Sequence, residues 1–374
     1  MRFTINRDIF LKALSTASKA ISTKSPIPVM TNFKLSLFDN VLSILASNNE
    51  LTIKTEIPCI VNDNRVINDC EEGSTLLASK YLTEIVRKIE GEVISFEVID
   101  ETIAQISDLR SNFKLNSIRP EEYPDIDLQE NGTIFTLSVD DFKTLVDQTA
   151  FAASTKEQRP ILTAVNLNGG DNKLVATATD SARLARKEIS LPNVPYFSTN
   201  IPAKALLEVE KLLENEKEIK ICVSEQKVLF KIDNTVISSR LISGDYPNTR
   251  NIVPKSFNYF LEVNAQELLS AMDRVSLLLI EKENVVKLTM STEAVEVSAK
   301  SNQVGSATET INVCQYNSER LEISFNASYV ADAIKACGSE DVVIQFLGEM
   351  EPFVVKNVND ESQIQLITPM RTYN

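Results

Sequence analysis

Residues 1–14, MRFTINRDIFLKAL, alternate apolar and polar side chains through Phe3-Thr4-Ile5-Asn6 and then change period, with Phe10 and Leu14 recurring four residues apart beyond Asp8. That is a short strand, a turn and an amphipathic helix. The passage comes back twice. Phe135-Thr136-Leu137-Ser138 leads into Asp140, Phe142 and Val146, and Leu261-Glu262-Val263-Asn264 leads into Gln266, Leu268 and Met272. One unit spans roughly a third of the 374 residues, so the spacing predicts one domain copied and joined head to tail.

Each unit carries a second helical pattern. It runs from Ser79 through Leu82, Val86 and Ile89, from Ala203 through Leu206, Val209 and Leu213, and from Ala327 through Val330, Ile334 and Cys337. Ser79 and Asn326 are the expected N-caps, and Pro202 is expected in a first helical turn. Elsewhere the period is two. Lys34–Leu37 and Leu42–Leu45 flank Asp39-Asn40, and Ser95–Val98 and Thr102–Ile106 flank Asp100-Glu101, as hairpins do. Each unit therefore reads as two helices against antiparallel strands, an α+β class. Glu122-Tyr123-Pro124 and Asp245-Tyr246-Pro247 close the first two units and open short linkers near 121–133 and 244–257. The expected domains are 1–124, 130–250 and 255–374.

Composition narrows the chemistry. Hydrophobic residues make up 43% and charged residues 24%, as in ordinary globular proteins. No apolar run approaches a membrane span, so no membrane partner is expected, and the charged N-terminus does not read as a signal peptide. Five scattered cysteines without a CxxC pair suit reduced thiols in a cytosolic protein. The chain has no histidine, so no Ser-His-Asp triad, Cys-His dyad or His-ligated zinc site can form. There is no GxxxxGK[ST] loop or GxGxxG, and no cofactor is expected. A carboxylate-based hydrolase would need paired acids that nothing in the sequence singles out. The net charge of −14 argues against nucleic acid on average, but binding depends on where charges lie.

Several passages together resemble the bacterial DNA polymerase III beta subunit family, the sliding clamps. They are MRFTINRDIFLKAL, RPILTAVNL (159–167), ATDSARLA (178–185), RLISGDYPNTRNIVP (240–254), FNASYVADAIKA (325–336) and ITPMR (367–371). The resemblance runs nearly end to end. It implies a non-enzymatic processivity factor of DNA replication, made of three repeated clamp domains that form a six-domain ring as a homodimer. Helices would line the hole around double-stranded DNA, held without sequence preference. The implied partners are the DNA polymerase III catalytic subunit, the clamp loader and other clamp-binding-motif proteins, in a cytoplasmic, nucleoid-associated setting. The competing reading is a protein-binding repeat scaffold that never encircles DNA.

The resemblance also implies three sites. A partner-peptide pocket would use Leu162, Thr179, Asp180, Arg183, Leu184, Pro247, Ile252, Asn326, Tyr329, Met350, Pro352, Pro369, Met370 and Arg371. Lys24 and Lys156 would touch DNA from loops, with Lys12, Lys80, Lys143, Lys204 and Lys335 facing it from helices that also carry acids. Few, loose phosphate contacts suit a ring that must slide. Phe113 and Leu115 would meet Leu277 and Leu278 of a second copy, where Ser276–Ile280 is more apolar than one helix face needs. The sequence departs from the family at Ser181-Ala182, where Gly-His is usual, and at Thr368 and Thr372, which are commonly apolar. Tyr373 and Asn374 extend past the usual end.

Overall fold

The computed structural model describes residues 1–22, 25, 27–249, 251–279, 284–316 and 318–371. Lys24, Ile280 and Thr372 lie outside the described residues. Among the described residues, six α-helices stand two to a repeat: α1 (Arg7–Ser18), α2 (Ser79–Lys88), α3 (Val139–Asp147), α4 (Ala203–Glu210), α5 (Ala265–Ser276) and α6 (Ala327–Cys337). Every strand pairing among the described residues is antiparallel.

The strand-to-helix step is written in the residue between them. Asn6 keeps an extended backbone while its Oδ1 accepts from the amides of Asp8 and Ile9, and Asn264 caps α5 by accepting from Glu267. Asn326 caps α6 as expected, accepting from Ser328 and Tyr329, and Gly338 ends that helix at φ +63°. Two expectations are corrected. Ser79 is not the cap of α2: Ala78 holds that position, and the Ser79 hydroxyl donates to the Thr31 carbonyl instead. Pro202 lies outside α4, as the last residue of strand Phe197–Pro202, opposite Ala164; that strand is an outer one, where proline is tolerated.

The chain divides into two compact units, Met1–Val139 with Glu208–Leu241, and Asp140–Leu207 with Ile242–Asn374. The first holds a five-stranded sheet in the order 112–116, 103–107, 93–99, 2–6, 67–71. It also holds an eight-stranded sheet in the order 133–138, 218–223, 227–232, 235–240, 51–58, 41–47, 32–38, 73–78. Helices α1 and α2 pack on each other, and α1 meets strands of both sheets. Phe3 stacks on Phe96 at 4.7 Å and meets Phe10 edge-on, so the quoted opening stretch lies in the core.

The second unit holds a nine-stranded sheet in the order 197–202, 164–170, 173–179, 183–190, 360–367, 353–357, 341–346, 259–264, 315–316. A four-stranded sheet, 305–311, 295–301, 285–290, 321–326, completes it, with α5 packed on α6. Both large sheets cross the repeat boundaries. Strand 235–240 pairs with 51–58, and strand 183–190 with 360–367. Hairpin turns fall where expected, with Asp39, Asn40, Asp100 and Glu101 all at positive φ. No helix among the described residues is long and apolar enough to cross a membrane.

Candidate functional site

One turn recurs in all three repeats, and its chemistry differs each time. In the first, Asn48 Oδ1 accepts from the amides of Glu50 and Leu51, with Asn49 at φ +78°. In the third, Ser291 Oγ accepts from Glu293 and Ala294. In the second, Asp180 Oδ1 accepts from Ala182 at 2.9 Å and Arg183 at 3.0 Å, with Ser181 at φ +82°. Thr179 Oγ1 donates to the Arg183 carbonyl at 2.6 Å and accepts from the Ser181 amide. Of the three turns, only this one is closed by an aspartate and ends on an arginine, where the others end on Leu51 and Ala294.

The side chain of Arg183 is 13% exposed and its donors are engaged on three sides. Nε donates to Asp180 Oδ2 at 3.1 Å, Nη1 to Asp332 Oδ2 at 2.6 Å, and Nη2 to the Phe151 carbonyl at 2.6 Å. The Tyr329 ring lies 4.5 Å from the guanidinium carbon and the Phe151 ring 5.3 Å. Burial pushes the Tyr329 phenol up, and the nearby Asp180 adds to it. Tyr246 fixes the same turn from behind: its hydroxyl accepts from the Thr179 amide at 3.0 Å, and burial pushes its phenol up to about 12. Tyr123, the matching residue of the first repeat, is buried too.

Beside this turn lies a groove of about 230 Å³, lined by Arg159, Leu162, Thr179, Ser181, Arg183, Leu184, Pro247, Thr249, Ile252, Leu366 and Thr368. Leu162 comes from the single 3-10 turn Pro160–Thr163, closed by the Thr163 hydroxyl donating to the Pro160 carbonyl. Leu184 and Leu366 are paired neighbours on adjacent strands. Of the expected pocket residues, Leu162, Thr179, Arg183, Leu184, Pro247 and Ile252 converge on the groove. Asp180 and Tyr329 instead brace Arg183, and Asn326 caps the helix that presents Tyr329. Met350, Pro352, Pro369, Met370 and Arg371 do not line it; Met370 and Arg371 are exposed, and the Met370 amide donates to the Ser324 carbonyl. Arg159, Thr249 and Leu366 line the groove without having been expected. Leu366 was readable as the inward residue of an alternating strand; Arg159 and Thr249 stand inside the quoted passages RPILTAVNL and RLISGDYPNTRNIVP, the one signal that pointed to them.

The lysines divide. Lys12 Nζ lies 2.6 Å from Glu214 Oε2, and that bond raises its pKa. Lys80, Lys156, Lys204 and Lys335 are exposed, and Lys143 is half-buried. Arg87, on α2 with Lys80, pairs with Glu84, and Arg274 on α5 chelates Glu309 through Nε and Nη2. Phe113 is exposed and Leu115 half-buried on strand Asn112–Asn116, the outer strand of the five-stranded sheet. Leu277, just past the end of α5, is 79% exposed, and Leu278 is half-buried. Strand Gly305–Ile311 is the outer strand of the four-stranded sheet.

A triplicated α+β module with these sheets is the fold of DNA sliding clamps. The crystal structure of the DNA polymerase sliding clamp from Bacillus subtilis matches at a TM-score of 0.95 and 35% identity, covering all of both chains. That of the DNA polymerase III beta chain from Streptococcus pneumoniae matches at 0.95 and 32%, covering 99% of this chain and all of the other. The beta sliding clamp of Staphylococcus aureus (strain Mu50 / ATCC 700699) is 36% identical over 376 residues, again covering all of both chains. Family models for the DNA polymerase III beta subunit match in order: the N-terminal domain at residues 1–127, the central domain at 136–248 and the C-terminal domain at 250–371. The chain belongs to the DNA polymerase III beta subunit family. Its function is that of a sliding clamp, a non-catalytic processivity factor of DNA replication.

Proposed function

We propose that two copies close head to tail into a six-domain ring around duplex DNA, with domains 1–124, 130–250 and 255–374 in each. Phe113 and Leu115 of one copy meet Leu277 and Leu278 of the other. The observation that carries this reading is the pair of unlike outer strands, Asn112–Asn116 and Gly305–Ile311, each flanked by exposed apolar side chains. Unpaired outer strands invite further pairing, and two unlike ends joined twice make a closed heterologous contact. The lysines at 24, 80, 143, 156, 204 and 335 supply loose phosphate contacts, with Lys12 contributing only when Glu214 releases it. Attachment is then topological, which reconciles DNA with a charge of −14.

The groove beside Arg183 receives extended apolar segments of the polymerase catalytic subunit, the clamp loader and other clamp-binding-motif proteins. Its support is the apolar wall of Leu162, Leu184, Ile252 and Leu366 beside a fixed polar floor. Such a protein works in the cytoplasm, on the nucleoid. The test loads the protein onto nicked circular DNA with its clamp loader. Retention on the circle and release after linearisation are expected; equal retention on both templates refutes the ring.

A further inference from the structure

We propose that Asp332 sets the selectivity of this groove: by meeting a donor of the groove-lining Arg183 guanidinium and fixing its orientation, Asp332 keeps the groove selective for apolar side chains. The inference rests on reading the groove as the peptide site. Asp180 cannot do this alone, because one of its oxygens closes the turn and the other reaches only Nε. Phe151 offers a neutral carbonyl. Asp332 is the charged partner from outside that turn, 149 residues away on α6, and it takes Nη1 at 2.6 Å. Tyr329 stands one turn earlier on α6, so a single helix grips the guanidinium both in its plane and on its face.

Arg183 also lines the groove. Without Asp332, Nη1 loses its acceptor while Nε keeps Asp180 and Nη2 keeps the Phe151 carbonyl, so one donor of a groove-lining cation is left unmet. A part-buried cation with an unmet donor draws a carboxylate and penalises an apolar group. Asp332 itself is not there for packing. Its side chain is 40% exposed and borders a separate cavity of about 360 Å³ between α3 and α6, so replacing it empties no core. Asp332 is thus a positioning residue for a site that it does not line.

The test measures the affinity of a polymerase-derived peptide and of its twin carrying Glu at the pocket-filling apolar residue. The proteins compared are wild type, Asp332→Ala, Asp332→Asn and Asp332→Glu, with Tm followed in parallel. Asp332→Ala and the isosteric Asp332→Asn should weaken the apolar peptide about tenfold, the scale of one lost charge-assisted hydrogen bond, and narrow the preference over the Glu peptide. Asp332→Glu should restore most of the preference, which a merely structural loss would not do. Unchanged affinities and an unchanged preference in Asp332→Asn overturn the proposal. Leu184→Arg, which fills the groove, is the control: if it leaves the apolar peptide bound as tightly as wild type, the groove reading itself fails and this inference with it.

Discussion

Lys187 and Asp360 form a part-buried ion pair, Nζ to Oδ2 at 2.8 Å, between the two strands that join the halves of the nine-stranded sheet. The Lys187 side chain is only 9% exposed and also donates to Ser362 Oγ at 2.7 Å. Burial alone would push the Asp360 carboxyl up. The Lys187 ammonium and the Ser362 hydroxyl and amide outweigh it and hold the group at about 2. A folded-state pKa below the unfolded value gives stability that is full above about 4 and lost as pH falls toward 2. Asp360→Asn should cost about 2–4 kcal/mol at pH 7, because it strands a buried ammonium. Urea unfolding against pH checks both points; a wild-type advantage that does not shrink between pH 4 and pH 2 contradicts the assignment.

Ser181 occupies a left-handed backbone position, φ +82°, that the resemblance assigns to glycine. An L side chain there costs about 1–2 kcal/mol, offset in part by the greater freedom glycine has when unfolded. Ser181→Gly should therefore stabilise the protein by up to about 1 kcal/mol, read as a raised Tm. A lowered Tm would mean that the Ser181 hydroxyl, which accepts from Arg159 at 3.4 Å, matters more than the strain.

Leu277 is too exposed to be a core residue, and Leu278 is only partly covered. Leu277→Ala combined with Leu278→Ala should leave the chain folded and soluble yet monomeric by sedimentation. A double variant that still sediments as a dimer removes these leucines from the ring contact.

Cys59 and Cys70 lie 3.5 Å apart, Sγ to Sγ, one just after strand 51–58 and the other on strand 67–71 of the other sheet. Burial, then the bond with Cys70, pushes the Cys59 thiol up to about 12, so oxidation should be slow at neutral pH and faster in alkali. Diamide, which removes two electrons and two protons, should give a Cys59–Cys70 linked peptide that dithiothreitol reverses. Recovery of both thiols unmodified after prolonged alkaline treatment would show the pair cannot close.

The repeat, the strand-helix steps and the hairpins were legible because each rests on local periodicity and on short polar residues at element ends. The errors at Ser79 and Pro202 are each displaced by one step in opposite directions: Ser79 is already the first residue of α2, whereas Pro202 still belongs to the strand before α4, paired with Ala164, and long-range partners decide such boundaries. Ser79 found the Thr31 carbonyl, 48 residues back. The groove was legible only in its apolar walls. That Arg183 would be met by Asp332, or that Glu214 would claim Lys12 from 202 residues away, lies in no local pattern. Charge pairing of this kind is a product of the finished fold.

Because both large sheets run across repeat boundaries, the smallest piece able to stand by itself is not one copy of the repeat. A fragment cut after the first family domain, near residue 127, would strip strand 235–240 from strand 51–58 and leave that edge bare. The middle copy fares worse, since its strands are shared out between two compact bodies. Duplication could build this chain one module at a time, but the result can no longer be taken apart that way: the copies have become interdependent, and a domain boundary drawn in the sequence is not a seam in the molecule.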